Sequence, residues 1–394
     1  MEGKKMKDNL LNEHLLKITE YKAIGELPNP FMFDNGNYVS SIDEWERRKR
    51  EITKTTIDVQ FGTLPPAPEI FWVEQLNCGK EHRSYKIHAG TKEKQISFVV
   101  KLIMPKGESR PIIIDGDMCA GYFMKEDFIN AAVSRDIGWL LFDRTELAHD
   151  LKEERGRAGA LYDIYPEYTF GALGAWAWGY SRCVDAVIKL NLPQIDCSCI
   201  VATGHSRGGK ATMLAGAVDE RIAIVNPNEA CLVGGGCYRI EMVGDYPDLL
   251  PWRSETLKDI CKETDFWIGP TMKNYIGREN ELPFDTHFLK ALVAPRILFV
   301  SEAAGDIWAN PIGSWMTTEA AKEVYEFLGA GPNIYWYFRT GTHYHKAEDI
   351  EMLVNIICHI HDNEDISDSF YKLPFSPPEY LFSWRKPNFK LKGE

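Results

Sequence analysis

Gly204, His205, Ser206, Arg207 and Gly208 spell Gly-x-Ser-x-Gly at a point where the chain changes character. Before them Cys199, Ile200, Val201 and Ala202 form a short apolar run of β-forming residues; after them Ala211, Met213, Leu214, Ala215 and Ala217 favour helix. In a strand–turn–helix setting this pattern is a nucleophile elbow. The glycines relieve crowding around a strained serine, and the helix N-terminus offers unpaired N–H groups to an oxyanion. The same five residues in an ordinary glycine-rich loop would carry no chemistry; the setting is what points to Ser206 as a nucleophile.

A serine hydroxyl needs an adjacent base and a group that orients that base. In α/β-hydrolases the chain order is serine, acid, histidine. Five histidines follow Ser206, at positions 287, 343, 345, 359 and 361. His359 and His361 fall at the end of the last predicted helix, where capping or solvation suffices, and His287 sits just before an apolar helix. His343 and His345 follow the last predicted strand and precede a helix opening at Ala347. His343 is the favoured base, and His345 is the second candidate, otherwise placed on the substrate side. Two carboxylates compete to orient it. Glu229 follows the strand after the nucleophile helix and Asp306 follows the next one, both at C-terminal strand ends where open α/β sheets bind ligands.

The elements that must position these groups are legible as alternating patterns. Predicted strands at 85–88, 95–103, 111–114, 138–142, 199–203, 223–225, 296–301 and 334–338 interleave with helices at 125–134, 172–190, 208–217, 317–328 and 347–360. The first two strands alternate polar and apolar residues, as antiparallel edge strands do; 111–114 and 138–142 are continuously apolar, as buried parallel strands are. This alternation predicts the α/β class, with a mostly parallel central sheet and helices on both faces. Residues 1–68 read as an N-terminal extension packed on the body. It contains a helix capped at Ser41 and closes at the breaker run 64–68. The catalytic domain is expected over 69–372, with 234–285 as a cap-like insertion, and 373–394 as a C-terminal tail.

Composition narrows the partners. A net charge of −12 sets aside nonspecific nucleic-acid binding. The basic run Arg47–Arg50 lies among Glu44, Glu46 and Glu51 and reads as a solvated helix face. No apolar run approaches membrane-spanning length, and the first residues lack an apolar signal core, so a cytoplasmic protein with no membrane partner is expected. The nine cysteines are odd in number and show no pair of metal-ligand pairs, which predicts buried thiols and no metal site. Aromatic residues make up 12% of the chain, including 11 Trp, which suits a cleft walled by rings.

With these motifs in view, the chain resembles the bacterial glucuronoyl esterases and their acetyl-xylan-esterase-like relatives, carbohydrate esterases of the α/β-hydrolase superfamily. The resemblance spans roughly residues 27–362. It is carried by Leu27–Pro30, the elbow through Lys210, Asn228–Arg239, Leu282–His287, Ala294–Arg296, Asp306–Pro311 and Gly341–His343 with Glu348 and Asp349 behind. It implies Ser206 as nucleophile, His343 as base, and the acid at Glu229 or, as in some relatives, at Asp306. It also implies that Arg207 helps form the oxyanion hole, that Lys210 reaches sugar hydroxyls, and that Trp308 walls the sugar site. Secreted members commonly join a cysteine before the nucleophile to one after the histidine; here those places hold His205 and Tyr344. The expected activity is hydrolysis of a small carbohydrate ester or oligosaccharide ester, glucuronoyl or acetyl, without metal or organic cofactor. The competing expectation is a hydrolase-fold protein that only binds carbohydrate.

Overall fold

The structure is a computed structural model of the whole chain, and it describes residues 21–121, 126–151, 157–243, 253–367, 369–375 and 382–387. Its centre is a nine-stranded sheet in the order β11-β10-β8-β7-β5-β6-β4-β3-β2. The strands are β2 (Ile70–Cys78), β3 (His82–Gly90), β4 (Gln95–Ile103), β5 (Arg110–Asp115), β6 (Gly138–Phe142), β7 (Ile195–His205), β8 (Ile224–Asn228), β10 (Ile297–Ala303) and β11 (Ile334–Arg339). From β11 to β6 every pairing is parallel; β4, β3 and β2 extend the sheet antiparallel. A separate pair joins β1 (Tyr21–Ala23) to β9 (Ile240–Met242).

Both faces of the parallel part are buried, and the strands show it residue by residue. Ile112, Ile114, Leu140, Ile200, Ala202, Val225, Leu298 and Val300 enter one apolar cluster, while Ile113, Trp139, Leu141, Val201, Ile224, Ile297 and Phe299 enter the other. This period-two split between two cores is why the strands read as continuous apolar runs. The first cluster is covered by α1 (Ile42–Gln60), α3 (Ala172–Leu190), α4 (Arg207–Val218), α5 (Thr286–Val293) and α6 (Pro311–Phe327). The second is covered by α2 (Glu126–Val133) and α7 (Ala347–Asp362). The expected α/β sheet with helices on both faces is therefore the observed one.

Differences lie at the margins. The edge strand β2 escapes the sequence pattern because most of its side chains are exposed and its register slips between Gln75 and Asn77. Helix α6 begins at Pro311 rather than 317, since Asn310, in the left-handed region, caps it through Gly313 N–H. In the N-terminal region Ser41 caps α1 by accepting from Glu44 N–H at 3.2 Å, and the helix runs on to Gln60. Leu27, Phe31, Trp45 and Ile52 from this region lie in the first core cluster. Near the other end of the chain Trp384 donates its indole N–H to Leu27 O at 2.7 Å and stacks on His287.

Candidate active site

Ser206 stands between β7 and α4 with φ 57 and ψ −118, a conformation that costs an ordinary residue steric strain. Its neighbours make room. A Cβ on Gly204 would lie 2.7 Å from the Gly208 backbone, and a Cβ on Gly208 would run into the Asp117 carboxylate. That carboxylate lies buried beneath the elbow, accepting from His205 N–H at 2.7 Å and paired with the Arg144 guanidinium. Sequence reading missed this pair, since an acid and an arginine 27 residues apart carry no motif.

Four parallel strands deliver the reacting groups at their C-terminal ends. His343 Nε2 lies 2.9 Å from Ser206 Oγ, so that in the neutral ring with its proton on Nδ1 the hydroxyl donates to Nε2. On the other side His343 Nδ1 lies 2.5 Å from Asp306 Oδ2 and 3.3 Å from Glu229 Oε2. The two competing acids thus face one nitrogen, Asp306 the closer. Burial alone would depress the His343 imidazole, but the Asp306 and Glu229 carboxylates overcome this and hold it above the usual histidine range. Burial pushes the Glu229 carboxyl up, opposed by its hydrogen bond to His343.

Arg339, at the end of β11, ties these groups together. Its guanidinium meets Glu229 Oε1, donates to Asp349 Oδ1 at 2.8 Å and to Tyr344 O at 2.7 Å, and reaches the Thr340 and Thr342 carbonyls. The loop that carries His343 is therefore wrapped around a buried cation that also fixes one of the acids. Asp349, which the sequence placed behind the base loop, is the second anion that balances it.

The remaining expected site residues divide. Arg207 is at the elbow, its guanidinium 3.0 Å from Asp150 Oδ2 and 5.1 Å from the centre of the Trp267 ring. The Trp267 indole N–H donates to the other Asp150 oxygen at 2.9 Å, so Asp150 holds both. Trp308 is half-buried, and its carbonyl accepts from Glu255 N–H at 3.0 Å. Lys210 needs correction. It is buried, and its ammonium donates to Ala230 O at 3.0 Å, Leu232 O at 2.7 Å and Glu255 Oε2 at 2.6 Å. All three donors are engaged within the protein, so it does not reach openly into a cleft. His345 needs correction too. It is buried rather than lining the substrate side, stacked on His205 at 4.9 Å and 5° and edged by Phe128. Tyr344, between the two histidines, is exposed. His205 in turn bonds Asn228 Oδ1 at 2.7 Å through Nδ1, linking the elbow to β8.

Of the loop after β5, the Gly116 amide is bonded to Tyr180 Oη at 3.0 Å and the Asp117 amide to Asp115 Oδ1 at 2.8 Å. Metal-ligand donor sets also occur in the site: Cys231, Asp306 and His343 offer atoms within 4.8 Å of one another, as do His205, Glu229 and His343.

A family model described as glucuronyl esterase, fungi, matches residues 87–329. A 4-O-methyl-glucuronoyl methylesterase of Podospora anserina is 33% identical over 331 residues, covering 81% of this chain and 64% of that protein. The chain thus spans slightly under two thirds of that relative's length. Among solved structures, a carbohydrate esterase family 15 glucuronoyl esterase from Caldicellulosiruptor kristjansonii superposes with a TM-score of 0.82 at 28% identity, covering 92% of this chain and 98% of that one. The glucuronoyl esterase catalytic domain from Hypocrea jecorina gives 0.76 at 27% identity, over 93% and 98% of the two chains.

Proposed function

Because the chain belongs to the glucuronoyl esterase family, we propose that it is a serine esterase cleaving esters of a glucuronate carboxyl in a small carbohydrate. The observation that carries this is the unbroken line from Asp306 through His343 to Ser206, at 2.5 and 2.9 Å. The names of the relatives, 4-O-methyl-glucuronoyl methylesterases, favour a uronate ester over an acetylated sugar hydroxyl.

In the proposed reaction His343 Nε2 takes the Ser206 proton as Oγ attacks the ester carbonyl. Two carboxylates on Nδ1 stabilise the imidazolium that forms at that moment. The tetrahedral oxyanion is received by the Arg207 N–H at the start of α4, with the Arg207 guanidinium at its side. The Met118 N–H is the second donor, since its Gly116 and Asp117 neighbours are already bonded. His343 then gives its proton to the leaving alcohol, and water repeats the sequence on the acyl-enzyme. Glu255, held by Lys210, and the half-buried Trp308 form the sugar side, so that Lys210 acts on the sugar through the carboxylate it orients.

The test is turnover of benzyl glucuronate beside p-nitrophenyl acetate and acetylated xylo-oligosaccharides, with Ser206→Ala as the blank. The proposal expects Ser206-dependent hydrolysis of the glucuronate ester, lowered about 10⁴-fold or more in the variant. Turnover of the acetyl substrates alone would move the reading to a deacetylase.

A further inference from the structure

Cys231 has no part in the mechanism above, yet it lies against the groups that do. It follows Glu229 by two residues, is buried, and has φ 53. Its Sγ lies 3.3 Å from Glu229 O. Its sulfur, an Asp306 oxygen and a His343 ring nitrogen fall within 4.8 Å of one another. Glu229 Oε2, fully buried, faces the same ring nitrogen, 3.3 Å from His343 Nδ1. One thiol, one imidazole and two carboxylates converge there. That is a mixed sulfur, nitrogen and oxygen donor set of the kind that suits Zn²⁺ far better than Mg²⁺ or Ca²⁺. The other cysteine-containing set among the described residues, Cys358 with Asp362 and Glu364, lies toward the surface with its acids paired to Arg110 and Arg135.

We propose that the catalytic centre doubles as an inhibitory zinc site, in which Cys231, Asp306 and His343 bind Zn²⁺ and Glu229 completes the coordination. The inference rests on the roles given above to Ser206 and His343. On binding, Zn²⁺ takes the lone pair of His343 Nδ1 while the neutral ring keeps its one proton on Nε2, and the proton displaced from the Cys231 thiol leaves to solvent; no electron moves. The Asp306–His343 separation of 2.5 Å must open to roughly 3.3 Å for two ligands about 2.0 Å from a tetrahedral ion. With Zn²⁺ on Nδ1 and the ring proton on Nε2, His343 has no lone pair left to accept the Ser206 proton. Inhibition is thus reversible and competes with protons at the same atoms.

The experiment uses the full chain freed of metal by a chelator, with two readouts. One is covalent labelling of Ser206 by a fluorophosphonate, which needs the activated serine but not the natural substrate; the other is hydrolysis of benzyl glucuronate. Micromolar Zn²⁺ is expected to slow labelling more than tenfold, with EDTA restoring it and Mg²⁺ or Ca²⁺ having no effect. Cys231→Ser, and Cys231→Gly, which accepts the positive φ, should each need at least tenfold more zinc, every variant being compared with its own zinc-free rate. Co²⁺ added to the full chain should give a thiolate-to-metal absorption band that both variants lack. Labelling that ignores zinc, or variants as zinc-sensitive as the parent, would overturn the proposal. Labelling without ester turnover would instead sink the substrate reading, and the zinc response would still decide the metal site.

Discussion

Asp306 and Glu229 approach the same imidazole nitrogen from different strands, which makes their removal unequal rather than equivalent. Asp306→Asn takes away the 2.5 Å partner and is expected to lower kcat by roughly 10²–10³-fold, while Glu229→Gln costs roughly tenfold. The pH profile separates them further. His343 must be neutral to act as base, and its carboxylates hold it above the ordinary histidine value near 6.5. The acidic limb of kcat/KM therefore lies above that value in the parent and moves to lower pH in Asp306→Asn, even as the maximum falls. A limb that stays in place would show that Asp306 does not set the charge on the base. At this scale the sequence exposed the motif-bearing and strand-end residues, Ser206, His343 and both acids. It could not expose Arg339, Asp117 or Asp150, whose importance comes from contacts between distant segments.

Helix α4 and the strand before it meet at a turn that tolerates almost no added volume. Gly208→Ala would place a methyl group on the Asp117 carboxylate, forcing apart the ion pair with Arg144 under the elbow. The expected loss is about 1–3 kcal/mol of stability from overpacking, with kcat falling because Ser206 moves with the turn. Denaturant unfolding and kinetics on the same sample check both. The elements were largely legible because two buried sheet faces write long apolar runs into the strands. What failed to show were elements whose reasons lie elsewhere: β2, half out of the core, and β1 with β9, short strands that exist because each supplies the other's hydrogen bonds. The correction at Lys210 has the same origin. A lysine one turn into α4 reads as exposed until the chain at 230–232 and 255 folds over it.

Across the whole molecule, segments far apart in sequence close the first core together. Trp384 packs on His287 and Phe382 and hydrogen-bonds Leu27, so one residue late in the chain joins Leu27 to α5. Trp384 is half-buried, so Trp384→Ala is expected to cost about 1–3 kcal/mol in unfolding free energy. The parent kcat should be kept, since neither Leu27 nor His287 touches the catalytic groups; a large kcat loss at unchanged Tm would contradict this.

Arg339 gives the site a heritable consequence. Its guanidinium pairs with both Glu229 and Asp349 inside the core, so losing it leaves two buried carboxylates without the cation they share. A lineage that loses Arg339 first passes through a poorly folded ancestor. Positions 229, 339 and 349 should accordingly change hands together among relatives, and Arg339→Met should be rescued in part by Glu229→Gln when neither change would have been predicted to help the other from sequence distance alone.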